Sequence, residues 1–555
     1  MKDNLLAEPI ARNGASSPPV LHRGRMVGIV SVLTVMVAAF GYFREAALAA
    51  RFGLSTTMDA YFAAIFIPTI VYMVLIAGTL SPVFIPILLQ DEAGGEPGRL
   101  SETFSVVTNF VLLFLVGIVL CAMITVHKWL ALLFPGFSPA TAATTRNLVY
   151  MIFPPVIFVA LAGILTSALN GFHKFALAAI APALSSITVI TAALLAHGNH
   201  AIYVVGFATA IGFVLQFLLL IPATAALGIR YRPHLRLHHP AVAKLIRLGG
   251  PLLLYLAVAN GCLFLERNLA SRLAAGTLST LTYAMRLFTV PANFLAAPLA
   301  IVSYPQFARE AVNARHGDLR SQVSRMFRLV VFLFLPITVW TILNALPVTR
   351  LLYERGQFQF GDSLITSRAL MCYGIGILPN AIAVILLRCF YAVQDTVTPL
   401  VAEIIDLGFY AIVATVLTRH FGIEGLAFTR GLSFWLVTTV LIFVLWRKKH
   451  LLAVDSSLLL FFFRTALASV AMAGASWISL RLLQAPFDAG KIPLRLGILC
   501  LLMSVSGVVY LSMARLLQLE EATQLMRTVW HLWPGAVIAA SEEDGNIPPR
   551  KEISP

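Results

Sequence analysis

The chain has 555 residues, 59% hydrophobic and only 12% charged, with a formal net charge of +15 and a mean hydropathy of +0.86. Soluble domains carry about a quarter charged residues, so this composition excludes an ordinary soluble enzyme and points to a polytopic membrane protein. The positive excess suits a leaflet of anionic lipid, and a nucleic-acid partner is excluded because no polar segment is large enough to fold into a basic face.

In chain order, residues 1–25 are polar and precede an apolar run too long, and too far from the basic start, for a cleaved signal peptide. They are expected to form a cytosolic tail beside an uncleaved first helix. A membrane helix needs about 20 apolar residues, which divides the chain into about fourteen spans. These start near residues 26, 58, 104, 148, 176, 202, 250, 278, 326, 367, 398, 422, 457 and 493. Long apolar runs that hold Gly and Pro favour helices over the short alternating strands of an outer-membrane barrel. The expected fold class is therefore all-α and polytopic, in an inner-type (plasma) membrane.

Basic residues concentrate in the connections at 229–247 and 309–328 and in "WRKKH" (446–450), which places those connections in the cytosol. An even helix number then returns the C-terminus to the cytosol. The five cysteines, Cys121, Cys262, Cys372, Cys389 and Cys500, all fall in apolar spans without metal or redox spacing, and are expected to be packing residues.

A shift of 223 residues brings "GYFREAALAARFGLSTTMDAYFAAIFIP" (41–68) onto "FLERNLASRLAAGTLSTLTYAMRLFTVP" (264–291). Arg44 then meets Arg267, Gly53 meets Gly276, Thr57 meets Thr280, Pro68 meets Pro291 and Pro82 meets Pro305, without a gap. Proline breaks the helical hydrogen-bond ladder wherever it sits, so its recurrence at one depth is informative. Six helices per copy make a parallel repeat of the kind found in secondary transporters. The expected layout is a first lobe of helices 1–6 over residues 26–228, a basic linker over 229–249 and a second lobe of helices 7–12 over 250–450. A helix pair over 451–516 and a cytosolic tail over 517–555 follow.

The charges inside the spans are the candidate functional residues. Arg44 and Arg51 share a helix face seven residues apart, and want an anionic partner, either Asp59 or a ligand. Glu45 points about 100° away from Arg44 and cannot serve both arginines; a position at the headgroups is the alternative for Arg44 and Glu45. Arg286 stands in an apolar segment with no acid within a turn. It calls for a cavity or a buried pair with Glu266 or Asp59. Glu266 and Arg267 fit an interfacial pair or a cavity role equally well. Glu403 and Asp406 share a face and suit either a cation or proton site or a hydrogen-bonded pair. No phosphate-binding glycine loop, zinc motif or catalytic constellation is present, so an enzyme and a bound cofactor are not expected.

"FREAALAARFGLSTTMDAYFAAIFIP", "AGTLSPVFIPIL" (77–88), "LLYERGQF" (351–358) and "CFYAVQDTVTPL" (389–400) resemble the MurJ/MviN family, in order and spacing over residues 26–450. The resemblance implies fourteen helices in two parallel lobes plus an extra pair. It also implies a flippase activity on an undecaprenyl-pyrophosphate-linked glycan and a cationic central cavity for its headgroup. Arg44, Asp59 and Arg286 match family positions, and Glu45 stands where an aspartate is common. Arg44 and Arg286, with Arg51 and Arg267, would bind the pyrophosphate, while Glu45 and Asp59 hold the arginines between cargoes. Ala38, Met73, Ala77 and Met285 depart from the pattern, so the flippase class is expected but lipid II competes with another polyprenyl-linked saccharide as cargo. An exporter of cationic drugs and a non-transporting scaffold for cell-wall enzymes are the readings from other classes. Protons, a cation or membrane potential would supply the energy.

Overall fold

The computed structural model describes residues 20–71, 73, 81–93, 98–233, 236, 239–312, 316–452 and 455–523. In the first half, α1 (Val20–Phe52) is followed by α2 (Thr56–Val71), α3 (Ser81–Ala93), α4 (Arg99–Ile124) and the short α5 (Val126–Leu133). A bent pair, α6 (Pro139–Ile152) and α7 (Val156–Gly171), leads to α8 (Phe175–Leu195) and α9 (Ala201–Ala225). The second half opens with α10 (Pro240–Ala259) and α11 (Gly261–Ser271). Then α12 (Thr277–Pro291) runs through a π-helical turn into α13 (Ala297–Val312). After α14 (His316–Leu343) and the short α15 (Ala345–Tyr353) come the bent pair α16 (Phe360–Gly374) and α17 (Ile377–Ala392). The chain continues with α18 (Val397–Arg447), α19 (Ser456–Ala489) and α20 (Ile492–Leu516).

The repeat read from the sequence recurs in the geometry. The α6–α7 pair bends by 44° and the α16–α17 pair by 45°, and the two bends lie 221 residues apart in register, from Pro139 to Phe360. Gly53 ends α1 at φ 58° and Gly276 precedes α12 at φ 86°, a left-handed conformation that glycine adopts without steric cost.

By length and apolarity nine described helices can span a membrane, or eleven when each bent pair is one span. The difference from fourteen has a physical source. The 51-residue α18 breaks at Gly422 (φ 56°, ψ −126°), and a Cβ on Gly425 would stand 2.3 Å from the Leu417 carbonyl oxygen. Eight residues of straight helix would separate those groups by about 12 Å, so the chain doubles back there and α18 is two spans. α2, with 16 residues, is apolar but too short to count as a span by itself. Residues 74–80, including Ala77, lie outside the described residues.

One continuous buried cluster runs through both halves, from Ala46, Tyr61 and Ala63 to Leu281, Tyr283 and Phe288. At its centre Tyr283 packs edge-on against Phe62 (5.5 Å, 81°) and lies 5.0 Å from Tyr353. Such pairs each contribute about 0.5–1.5 kcal/mol beyond area burial. The α19–α20 pair joins this cluster through Phe461, Met472 and Tyr510, and at its other end a satellite forms where Phe487, Ile498 and Leu502 pack on Trp340 and Val348. An ionic knot of Arg350, Glu354 and Arg495 fastens it. Two of the cysteines, Cys121 and Cys500, are exposed rather than packed; an apolar membrane span needs no protein neighbour on its lipid side.

Candidate functional site

The site lies where the two halves meet. Arg44 stands eight residues before the end of α1 and Arg286 nine residues into α12. At 1.5 Å per residue both lie about 12–14 Å inside the same end of the molecule. Between them Glu45, 1% exposed, accepts a hydrogen bond from Arg44 Nη2 at 2.8 Å and lies 3.4 Å from Arg286 Nε. Two guanidinium groups from opposite lobes thus share one buried carboxylate, and the cluster keeps a net positive charge. The Arg44 side chain is 19% exposed and that of Arg286 45%. Glu45 Oε2 and Arg44 Nε are buried without a hydrogen-bond partner among the described residues.

The geometry selects among the expected pairings: the partner of Arg44 is the adjacent Glu45 and not Asp59. Neighbouring Cβ atoms diverge, but the flexible arginine stem folds back across them. Arg286, which has no acid near it in sequence, finds the same carboxylate across the interface rather than Glu266 or Asp59.

Asp59, 4% exposed, does something else. It accepts hydrogen bonds from Gly276 N (2.7 Å), Ser279 N (2.8 Å) and Ser279 Oγ (2.5 Å). A carboxylate in the first turn of α2 therefore caps the N-terminus of α12 in the other lobe, where unpaired amides and the helix dipole favour negative charge.

The same end carries further inter-lobe contacts: Gln357 N donates to Ala50 O (2.8 Å), and Asn268 Nδ2 donates to Leu132 O (2.7 Å). Together with the Asp59 cap they seal the lobes at this end. Arg51 stands in the last turn of α1 at the level of that seal, and its Nε is buried without a partner among the described residues.

Glu266 and Arg267 do not pair. Arg267 donates to Thr282 Oγ1 (2.8 Å) and Leu278 O (3.3 Å) and lies over the Phe66 ring at 5.7 Å. Glu266 is buried and accepts from the Tyr410 hydroxyl at 3.4 Å.

A second buried cluster lies within the second lobe. Asp406 sits 3.9 Å from Arg430 and accepts from the Cys262 thiol at 3.4 Å. The Arg430 guanidinium lies over Phe434 at 4.9 Å and Tyr410 at 6.0 Å. Asp406 turns into this cluster, whereas Glu403 is only half-buried, so the two carboxylates are not joined by a shared hydrogen bond among the described residues. The sequence reading passed over Arg430. The signal was present in "LAFTRGLSF", an arginine alone in an apolar span like Arg286. Among the described residues no three or more His, Cys, Asp or Glu side chains gather as metal ligands.

A family model described as "Lipid II flippase MurJ" matches residues 48–497. The chain belongs to the MurJ family. The lipid II flippase MurJ of Burkholderia cenocepacia is 28% identical over 461 residues, covering 80% of this chain and 88% of that protein. The probable lipid II flippase of Bdellovibrio bacteriovorus is 28% identical, covering 89% and 95%. The MurJ family is one of transporters rather than enzymes. In fold, the chain is similar to a solved lipid II flippase MurJ in an inward closed conformation, with TM-score 0.75, 22% identity, and coverage of 88% of this chain and 98% of that one. An inward-facing multidrug MATE transporter is more distant, with TM-score 0.62 and 13% identity, covering 76% and 98%.

Proposed function

We propose that this MurJ relative moves lipid II, the undecaprenyl-pyrophosphate-linked precursor of peptidoglycan, from the cytosolic to the outer leaflet of the bacterial inner membrane. The observation that carries this reading is the convergence of Arg44 and Arg286, from opposite lobes, on the buried Glu45 carboxylate. Guanidinium forks bind phosphate oxygens bidentately, so a pyrophosphate competes with Glu45 for both arginines. Glu45 is then the resident counter-ion between cargoes. Because the arginines belong to different lobes, exchanging carboxylate for cargo changes the contact between lobes, and alternating access requires a ligand with that differential effect. Arg267 and Arg51 stand ready as outer contacts.

The basic connections favour cytosolic N- and C-termini, which puts the lobe seal on the outer side. Glu403 and Asp406 are proposed to carry a proton rather than a metal cation, since Arg430 already supplies positive charge beside Asp406; membrane potential is the other source of drive. Enzymes that make or consume the lipid-linked glycan are the partners this function calls for. A second reading, transport of another polyprenyl-linked saccharide, is favoured by Ala38, Met73, Ala77 and Met285, which alter the charge pattern that the family shows. An exporter of cationic drugs is disfavoured by the net positive interface, and a non-transporting scaffold by inter-lobe charges that a static frame does not need.

The test is depletion of the native flippase in a bacterium with this gene supplied in its place, reading growth and outer-leaflet lipid II. Export is restored by the wild-type chain and lost with Arg286→Ala at normal membrane abundance. Losing one arginine–phosphate contact costs about 3 kcal/mol, roughly a hundredfold in binding. Failure of a well-expressed wild-type chain moves the cargo to another glycan. Normal export by Arg286→Ala removes the assignment of the site.

A further inference from the structure

Away from the lobe seal, at the opposite end of the spans, a recess of about 600 Å³ opens between the end of α3, the start of α4 and the start of α10. Its frame is built by α4. Ser101, Ser105 and Asn109 recur every four residues and so share one face of that helix. Ser101 Oγ accepts from Arg230 N (3.0 Å), Ser105 Oγ accepts from Arg232 N (2.9 Å), and Asn109 Oδ1 accepts from the Tyr231 hydroxyl (2.5 Å). Residues 230–232 are thereby pinned to α4, and the side chains of Arg232 and Arg236 line the recess.

Four fixed cations line it, Arg99, Arg232, Arg236 and Lys244, against two carboxylates, Asp91 and Glu102. Arg99 pairs with Asp91 (3.0 Å) and Arg236 with Glu102 (2.5 Å). Lys244 has only the neutral Gln90 (2.9 Å), and the Arg232 side chain has no polar partner among the described residues. Among the described residues, Arg232 and Lys244 therefore stand without an acidic partner. Both α4 and α10 also begin at the recess, and their N-terminal dipoles favour an anion there.

We propose that this recess holds the phosphate-bearing headgroup of a resident anionic phospholipid. The recess sits where apolar spans begin, which is headgroup depth, and basic pockets between helices at that depth take anionic headgroups. Other faces of the same helices expose large apolar side chains, Leu89 on α3 and Ile246 on α10, which suits helices that meet lipid beside the recess. A free phosphate has no use for a position at the membrane surface, whereas a lipid headgroup does. A bound lipid bridges α3 and α4 of the first lobe to α10, the first helix of the second, and so braces the joint about which the lobes rearrange. The proposal rests on the chain being a membrane transporter and not on its cargo.

The full chain in detergent is titrated with phosphatidylglycerol, phosphatidylcholine or inorganic phosphate. Retained lipid is read by native mass spectrometry and stabilisation by the thermal-unfolding midpoint. The variant is Arg232→Gln/Lys244→Gln, chosen because neither residue pairs with an acid, so no carboxylate is orphaned. Wild type is expected to retain phosphatidylglycerol over phosphatidylcholine. The variant is expected to bind phosphatidylglycerol roughly twenty-five-fold more weakly, about fivefold for each basic group removed. Arg232→Lys keeps the charge and is expected to retain the lipid, which separates a lost site from a damaged fold. Arg320→Gln, in a different basic recess, is expected to have no effect. Equal retention by the double variant overturns the proposal, as does equal loss in Arg320→Gln. Stabilisation by inorganic phosphate as large as that by phosphatidylglycerol also overturns it, because the site would then serve a soluble anion.

Discussion

Replacement of Asp59 by Ala unlocks the lobes. Three hydrogen bonds, at 2.7, 2.8 and 2.5 Å, converge on this carboxylate from the N-terminus of α12, and all three cross between lobes. A hydrogen bond to a charged group contributes about 1.5–3 kcal/mol net, while helix-cap deletions cost about 0.5–2 kcal/mol in all. Three bonds to one buried carboxylate place the loss at about 3 kcal/mol, allowing for incomplete additivity.

These bonds exist only while the lobes abut at this end, so the loss falls on that state and not on the one in which the lobes part. A difference of about 3 kcal/mol moves the equilibrium by roughly a hundredfold toward separation. Asp59→Asn keeps one acceptor oxygen and loses the charge, and its shift is about tenfold. Spin labels at the exposed Lys128 and Ala275, one per lobe at the sealed end, report the inter-lobe distance by double electron–electron resonance. The exposed Cys121 and Cys500 are first replaced by Ser. The distance distribution is expected to lengthen in the order wild type, Asn, Ala. A distribution unchanged in both variants, with the fold intact, would refute the assignment of Asp59 as an inter-lobe cap.

Two further outcomes test the second lobe and the appended helices. Arg430→Met leaves Asp406 buried without its cation and destabilises the protein by about 3–5 kcal/mol. Adding Asp406→Leu recovers part of that loss, and a double-mutant cycle in denaturant is expected to give a coupling of at least about 1 kcal/mol; zero coupling rejects the pair. Glu354 lies between spans, where burial works against its charge. Hydrogen bonds from Arg350 (2.7 and 3.2 Å) and Arg495 (3.1 Å) outweigh burial and hold its carboxyl below the ordinary range. A depressed carboxyl stabilises the fold above its ordinary value and loses that contribution as pH falls through the folded value. The gap in thermal midpoint between wild type and Glu354→Gln is expected to hold constant from about pH 8 to 5 and to close below about pH 4. A gap that persists in acid shows the network does not depend on that charge.

Much of the architecture was legible in the residues alone, because the cost of leaving an amide or a charge in an apolar medium is local to each position. Apolar run length sets the spans, glycine recurs at Gly53 and Gly276, and the 223-residue repeat is consistent with the matching bends of α6–α7 and α16–α17, which only the structure reveals. The intramembrane charges were likewise visible as candidates. Which charge answers which was not. Glu45 rather than Asp59 holds Arg44 and Arg286, Asp59 caps a helix 217 residues away, Glu266 and Arg267 part company, and Asp406 meets Arg430. Those partnerships depend on how two lobes dock through Tyr283, Phe62 and Tyr353. Docking of that kind is a property of surfaces far apart in sequence, so only the tertiary structure assigns each buried charge its partner.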